Sequence, residues 1–399
     1  MPDYDIITVG GGLGGASIAK AMAERGARVL VLEREAKFKD RVRGEWLTPW
    51  GVAEARELGV YETLISQCGY HPTGWDTRLA GNSIGLRDMA ATTLQAIHPM
   101  TFYHPRAQEA LLEATKKAGA EVRTDTRVIA VEPGAPSGVT IQSNGRTESL
   151  NARLVIGADG RGSMVRKWGG FESKDDPDEQ WLAGVLIEGT AAPMDYSVAV
   201  FNPFASRIAL MFPQGDRRAR FYFGARAAEP GLQGAKDVSR FIEDSVKTGM
   251  PSEYFEGATA AGPLATFSGA DSWVDHPYEN GVVLIGDAAA QSDQTWGQGM
   301  ALTLRDARIL RDVLLADDDW DAAGHAYAEE HDRQFHDLHK VESWFTCIFM
   351  EPGPDADALR AKALPQVAMD QTRIPDIFFS GPGSAAVDES ARRRFFGEE

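Results

Sequence analysis

Residues 5–33 read DIITVGGGLGGASIAKAMAERGARVLVLE. Asp5–Val9 is a short apolar run of strand type, and Leu13–Arg25 has helical composition. Ala27–Leu32 is a second strand-like run after the break at Gly26. Between the first run and the helix lie Gly10, Gly12 and Gly15, which fit G-x-G-x-x-G. Alone that spacing says little. Inside a βαβ unit of about 30 residues it predicts a helix N-terminus whose free N–H groups receive a dinucleotide pyrophosphate. Glu33 closes the second strand 18 residues after Gly15, where a carboxylate accepts hydrogen bonds from ribose hydroxyls.

Two later stretches give that unit a meaning. Ile285–Ala307, IGDAAAQSDQTWGQGMALTLRDA, follows the apolar run 281–285, turns at Gly286-Asp287 and ends in a helix-like segment predicted to continue to about Ala316. Leu154–Arg166, LVIGADGRGSMVR, is a strand ending in Asp159-Gly160, with a tight glycine backbone that presents N–H donors to a close anion. Fingerprint, central motif and late motif, in that order, resemble the FAD-dependent monooxygenases of the p-hydroxybenzoate hydroxylase type. The resemblance covers most of residues 1–310. It implies an α/β fold: a Rossmann-like FAD-binding domain with an inserted antiparallel β-sheet substrate domain and C-terminal helices.

The resemblance also implies the contacts. Gly10, Gly12, Leu13, Gly14 and Gly15 would cradle the pyrophosphate, and Glu33 and Arg34 the adenosine. Arg43, in RVRGEWL, would meet the pyrophosphate through charge-assisted bonds. Arg106 and Gln108 open the next cofactor helix, and Val128, Asp159, Gly286 and Asp287 complete the cradle. Backbone N–H groups of Gly299, Met300 and Ala301 would face the N1/O2 edge of the flavin, where negative charge develops on reduction. Asp306 would close the last motif; read from the residues alone, it is a solvated acid on a helix face.

Between Trp181 and Arg226 the pattern changes to short strands at Trp181–Glu188, Ser197–Phe201, Arg207–Phe212 and Arg218–Ala225, an antiparallel sheet. Phe201, Phe212, Phe221 and Phe223 alternate as one half-buried face. From that face Phe201, Phe212 and Phe223, with Trp46 and Trp296, are the expected substrate-pocket residues. The domain plan is a discontinuous FAD-binding domain at 1–75, 98–175 and 275–345, a substrate domain at 76–97 and 176–274, and a helical or irregular segment at 346–399.

Composition bounds the partners. The chain has 399 residues, 43% of them hydrophobic, and a net charge of −17. That is no footprint for nucleic acid and disfavours an anionic membrane surface. No uncharged run reaches the ~18 residues of a membrane span. Cys68 and Cys347 are too few for a disulfide framework, so a cytoplasmic enzyme, monomer or homodimer, is expected. No metal site is expected, and His331, His336 and His339 on one late helical segment are expected to be partly exposed.

The expected reaction is hydroxylation of a small phenolic aromatic. NADPH or NADH reduces FAD, and O2 adds at the flavin C4a position to give a hydroperoxide. Several departures from the family pattern leave the substrate open. Ala290 replaces a histidine, Asp293 and Gln294 stand where aromatic hydroxylases place prolines, Trp296 replaces a glycine, and Ala301 replaces an asparagine. Gly-Met and Arg-Gly-Glu-Trp-Leu also resemble the squalene-epoxidase branch, so epoxidation of an alkene is an alternative. Saturation of a geranylgeranyl-type chain and a non-catalytic FAD-binding module are others. The lack of Trp-x-Trp argues against a halogenase, and the lack of a second fingerprint and of C-x-x-C against a disulfide reductase. Asp293, six residues after Asp287, reads either as a solvated loop acid or as the base that takes the proton of a phenol.

Overall fold

The computed structural model describes residues 2–399. Its main sheet runs Tyr278–Glu279, Val282–Leu284, Arg146–Gly157, Tyr4–Val9, Val29–Leu32 and Glu121–Arg123. The central pairings are parallel, with Ile6 beside Val29 on one edge and Leu154 on the other. Such strands are buried on both faces. Ile6, Val29, Val31, Leu154 and Ile156 pack with the helices Leu13–Ala23, His104–Lys117 and Gly299–Ala316. Their neighbours Ile7, Leu30, Leu32 and Val155 pack under the hairpin Arg127–Glu132 and Ser137–Ser143. The long strand Arg146–Gly157 changes partners midway: Ala152 lies opposite Ser137 in the antiparallel hairpin and opposite Tyr4 in the parallel sheet.

A second sheet is ordered Thr259–Ala260, Gln180–Glu188, Arg218–Arg226, Arg207–Pro213, Tyr196–Asn202, Gly74–Leu79 and Asn82–Asp88. The four strands read from the sequence fall within one residue of their observed ends. Tyr196–Asn202 runs antiparallel to Arg207–Pro213 but parallel to Gly74–Leu79. The expectation of one half-buried face does not hold, because these strands are buried on both sides. Trp181, Val185, Met211, Phe221 and Phe223 pack on Phe241 of the helix Val238–Thr248, whereas Leu182, Leu210, Phe212 and Tyr222 face the main core. Phe223 therefore points away from the site, since the two-residue period puts it on the face opposite Tyr222.

The 30-residue helix Trp320–Phe349 lies along the main core, followed by the helices Pro354–Met369, Ile377–Ser380 and Glu389–Phe395. Among the described residues no helix is long and apolar enough to cross a membrane.

Candidate active site and cofactor cradle

One cavity of about 1280 Å³ runs from the glycine loop to the second sheet. That exceeds the ~300–1,000 Å³ of an ordinary small-molecule pocket and leaves room for a large cofactor with a substrate beside it.

At one end the three fingerprint glycines have different duties. A Cβ on Gly10, which has φ 106°, would lie 2.3 Å from Ala158 O, and one on Gly15 would lie 2.0 Å from Gly10 O. Both positions are closed by the chain's own backbone. Gly14 is closed by Thr303 Cγ2 at 2.6 Å, so it seats the first helix on the helix Gly299–Ala316. Gly12, in contrast, has only Gln108 Nε2 within reach, at 3.7 Å, and opens onto the cavity at an N-cap with no side-chain partner. Free helix N–H groups behind an open glycine are what a pyrophosphate needs. Glu33 is buried at the end of its strand and accepts from Gly11 N and Glu35 N, each at 2.8 Å. Leu13, Gln108 and Val128 line this end, as does Arg34, whose side chain is largely exposed. Arg106 does not: two residues before Gln108 on the same helix, it is on the opposite side, exposed and outside the cavity.

Halfway along, Asp287 is flanked by two guanidiniums, Arg43 Nη1 at 3.7 Å and Arg161 Nε at 3.8 Å. Arg161 was missed in the sequence reading; its signal is an arginine between the two glycines of Gly160-Arg161-Gly162, a turn that throws its side chain inward. Burial lowers its pKa, with Asp287 opposing. Asp159 lines the cavity but spends its carboxylate on its own loop, accepting from Ser163 Oγ at 2.5 Å, Met164 N at 2.7 Å and Val165 N at 3.2 Å. It shapes the turn that aims Arg161. Gly286 N–H donates to Asp306 Oδ2 at 2.8 Å, and Asp306 Oδ1 takes His331 Nδ1 at 2.9 Å. Both Asp306 and His331 are buried: Asp306 serves the turn as its internal acceptor and is not a solvated acid on a helix face, and His331 is not partly exposed as expected. The helix Gly299–Ala316 starts at the cavity with no side-chain cap; Gly299 and Met300 line it, while the Ala301 side chain packs on Gly51.

The far end is aromatic. Trp46 stacks on Phe212 at 5.5 Å and touches Trp75 at 4.9 Å, and Trp75 meets Phe379 edge-on at 5.2 Å. Trp296 stacks on Phe201 at 6.2 Å and on Phe378 at 5.9 Å. Trp46, Phe201, Phe212 and Trp296 all line the cavity; Phe223 does not. Trp75, Phe378 and Phe379 were not anticipated, the last two because an aromatic pair in a Pro- and Gly-rich tail carries no periodic signal. Four polar atoms in this wall are buried without partners: Trp46 Nε1, Ser292 Oγ, Gln294 Oε1 and Thr295 Oγ1. All four belong to residues that line the cavity, where an unpartnered polar atom is costly.

Asp293 is not part of that wall. Its neighbours Ser292, Gln294, Thr295 and Trp296 face the cavity, while its carboxylate turns inward, accepting from Thr295 N at 2.9 Å and from Gln180 Nε2. Burial raises its pKa to about 6. The carboxylate is thus engaged by a donor of its own loop and by Gln180, and not turned to the cavity where a base for the substrate was expected.

The chain belongs to the FAD binding domain family, whose profile matches residues 3–331. FAD fits the site: an open glycine at a helix N-terminus, an acid at the second strand, paired arginines midway and an uncapped second helix. Digeranylgeranylglycerophospholipid reductase of Methanosarcina acetivorans is 26% identical, over 94% of this chain and 91% of that one. In fold, the chain is similar to p-nitrophenol 4-monooxygenase PnpA from Pseudomonas putida, with TM-score 0.80 and 18% identity over 94% of this chain and 96% of that one. PqsL of Pseudomonas aeruginosa, a probable FAD-dependent monooxygenase, aligns with TM-score 0.69 and 19% identity over 99% and 98% of the two chains.

Proposed function

We propose that this chain is an FAD-dependent monooxygenase that uses NAD(P)H and O2 to hydroxylate a small, electron-rich aromatic compound. The observation that carries the reading is the box of Trp46, Trp75, Phe212, Trp296, Phe378 and Phe379 beside the start of the helix at Gly299. Such rings offer stacking faces to an aromatic guest and exclude the water that would divert a reactive oxygen species. When bound, FAD supplies acceptance of hydride and activation of oxygen. The uncapped N–H groups at Gly299–Ala301 would stabilise negative charge on the ring of a bound flavin. A substrate hydroxyl is held by neutral groups, Gln294, Thr295 and the Trp46 indole N–H, since the carboxylate of Asp293 is turned away.

A second reading is reduction of isoprenoid double bonds. It is favoured by the reductases among the relatives and by the exposed Ile84 and Leu86 on the edge strand at the cavity mouth. One experiment separates the two. Phenolic and polyprenyl compounds are screened for stimulated NAD(P)H oxidation under labelled O2, with product mass measured. Incorporation of one labelled oxygen supports the monooxygenase. A product two mass units heavier than its substrate, formed without oxygen, establishes the saturase instead.

A further inference from the structure

Behind the cavity loop lies a group of acids that the chemistry above does not use. Asp176, Asp271 and His339 offer ligand atoms within 4.8 Å of one another. His339 Nε2 is 2.7 Å from Asp176 Oδ2 and 3.5 Å from Asp271 Oδ2. Asp176 N–H donates to Asp271 O at 2.9 Å across the small sheet in which Asp175 lies opposite Ser272, so the two aspartates sit side by side. The imidazole ring is held between Trp273, 4.8 Å away, and Phe335, 5.6 Å away and nearly parallel.

Glu342 is the independent observation. It lies one helical turn after His339 on the same face. It is 2% exposed, and neither carboxylate oxygen has a partner. The charges it meets are Asp271, Asp293 and Asp176, all negative. No lysine or arginine forms an ion pair with any of these four acids among the described residues; His339 pairs with Asp176 and Asp271, and Arg161 acts on Asp293 only through space. A buried carboxylate with no donor, facing three others, is costly unless a cation or bound protons offset it. Asp176 and His339 keep side-chain exposures of 39% and 23%, which gives an ion a way in.

We propose that Asp176, Asp271 and His339 form a binding site for one divalent first-row metal ion, with Glu342 as the buried acid whose charge adds to the site. Two carboxylates and one imidazole are an oxygen-rich set with one nitrogen, which suits Mn2+ or Zn2+. The ion would be structural. It would tie the end of the strand Lys174–Asp175, the segment before Ser272 and the helix Trp320–Phe349 to one point. Asp271 would carry that fixity to the cavity, because its Oδ1 accepts the backbone N–H of Asp293 in the loop that presents Gln294, Thr295 and Trp296.

The test uses the full FAD-loaded chain, stripped with chelator and titrated with Mn2+ alone, free Mn2+ being read by its paramagnetic resonance, with Zn2+ as competitor. One Mn2+ per chain, displaced by Zn2+ and accompanied by a rise in Tm, is expected. Glu342→Gln and His339→Gln should each weaken binding at least tenfold. Glu342→Gln should hold or raise the Tm of the metal-free chain, since it replaces a buried carboxyl group that has no partner; a cooperative transition shows that the variant is folded. Absence of stoichiometric binding at millimolar Mn2+ and Zn2+, or unchanged affinity in Glu342→Gln, would overturn the site and leave the acids sharing protons.

Discussion

The Arg220 guanidinium lies on the Glu45 carboxylate, Nε to Oε2 at 2.8 Å and Nη2 to Oε1 at 3.0 Å, and neither residue is more than 1% exposed. The pair joins the second sheet to the loop that carries Arg43 and Trp46. Glu45 also accepts His104 N–H at 2.9 Å, and Arg220 also pairs with Asp40 at 2.9 Å. Removing one partner strands the other, which costs about 3–5 kcal/mol. Arg220→Leu should therefore lower stability by roughly that amount and loosen FAD retention. Adding Glu45→Gln should recover part of the loss in chemical denaturation, a coupling that independent sites would not show.

The different duties of the glycines predict opposite outcomes for one substitution. Gly15→Ala forces a Cβ to within 2.0 Å of Gly10 O and should disrupt the apo fold, read as a lower Tm. Gly12→Ala has space, and its φ of −73° suits alanine, so the apo Tm should not move. FAD affinity should fall at least tenfold all the same, because the methyl occupies the approach to the helix N-terminus.

Asp287 sits between Arg43 and Arg161 at the middle of the cradle. The wild-type protein should be yellow and release FAD, not FMN, on denaturation, if the acid at the end of the second strand, Glu33, holds an adenosine ribose as the sequence leads one to expect. Asp287→Ala should retain the fold but lose FAD on gel filtration; unchanged FAD occupancy would remove Asp287 from the cradle.

His331 predicts a pH dependence. Burial pushes its pKa down, but the Asp306 charge and hydrogen bond outweigh burial and hold it above the usual 6.5. A histidine whose folded pKa is raised adds stability that is fully present below the unfolded value and lost as pH rises through the folded value. Stability should fall as pH rises from about 6.5 upward through the His331 pKa. His331→Gln should flatten that part of the profile, followed by denaturant midpoint against pH.

Trp46→Ala opens the aromatic wall and removes the orphan indole N–H. Under the proposed hydroxylation, NAD(P)H oxidation should persist while hydrogen peroxide release rises and product yield falls. Coupling at the wild-type level would show that Trp46 does not shield the reacting centre.

Local rules served the cofactor half of the sequence well. The strand 4–9, the fingerprint glycines, Glu33 and the helix to Ala316 are each written within about 30 neighbouring residues, so period and spacing expose them. The second sheet was legible as strands, but not the burial of both its faces, because the covering helix Val238–Thr248 lies beyond the strand pattern. What escaped was long-range. Glu45 meets Arg220 across 175 residues, and Asp306 meets His331 across two helices. Asp293 shows the limit most clearly. Its place in the loop was right, but which way its side chain turns depends on Gln180, 113 residues earlier.

Phe378 and Phe379, which line the aromatic end of the cavity, come after the last family-matched residue at 331. Most of the aromatic wall (Trp46, Trp75, Phe201, Phe212 and Trp296) lies within the matched part, and the tail adds Phe378 and Phe379 to it. Exchange of residues 353–399 between related chains would then change which molecules are accepted while the flavin and its reductant are handled as before.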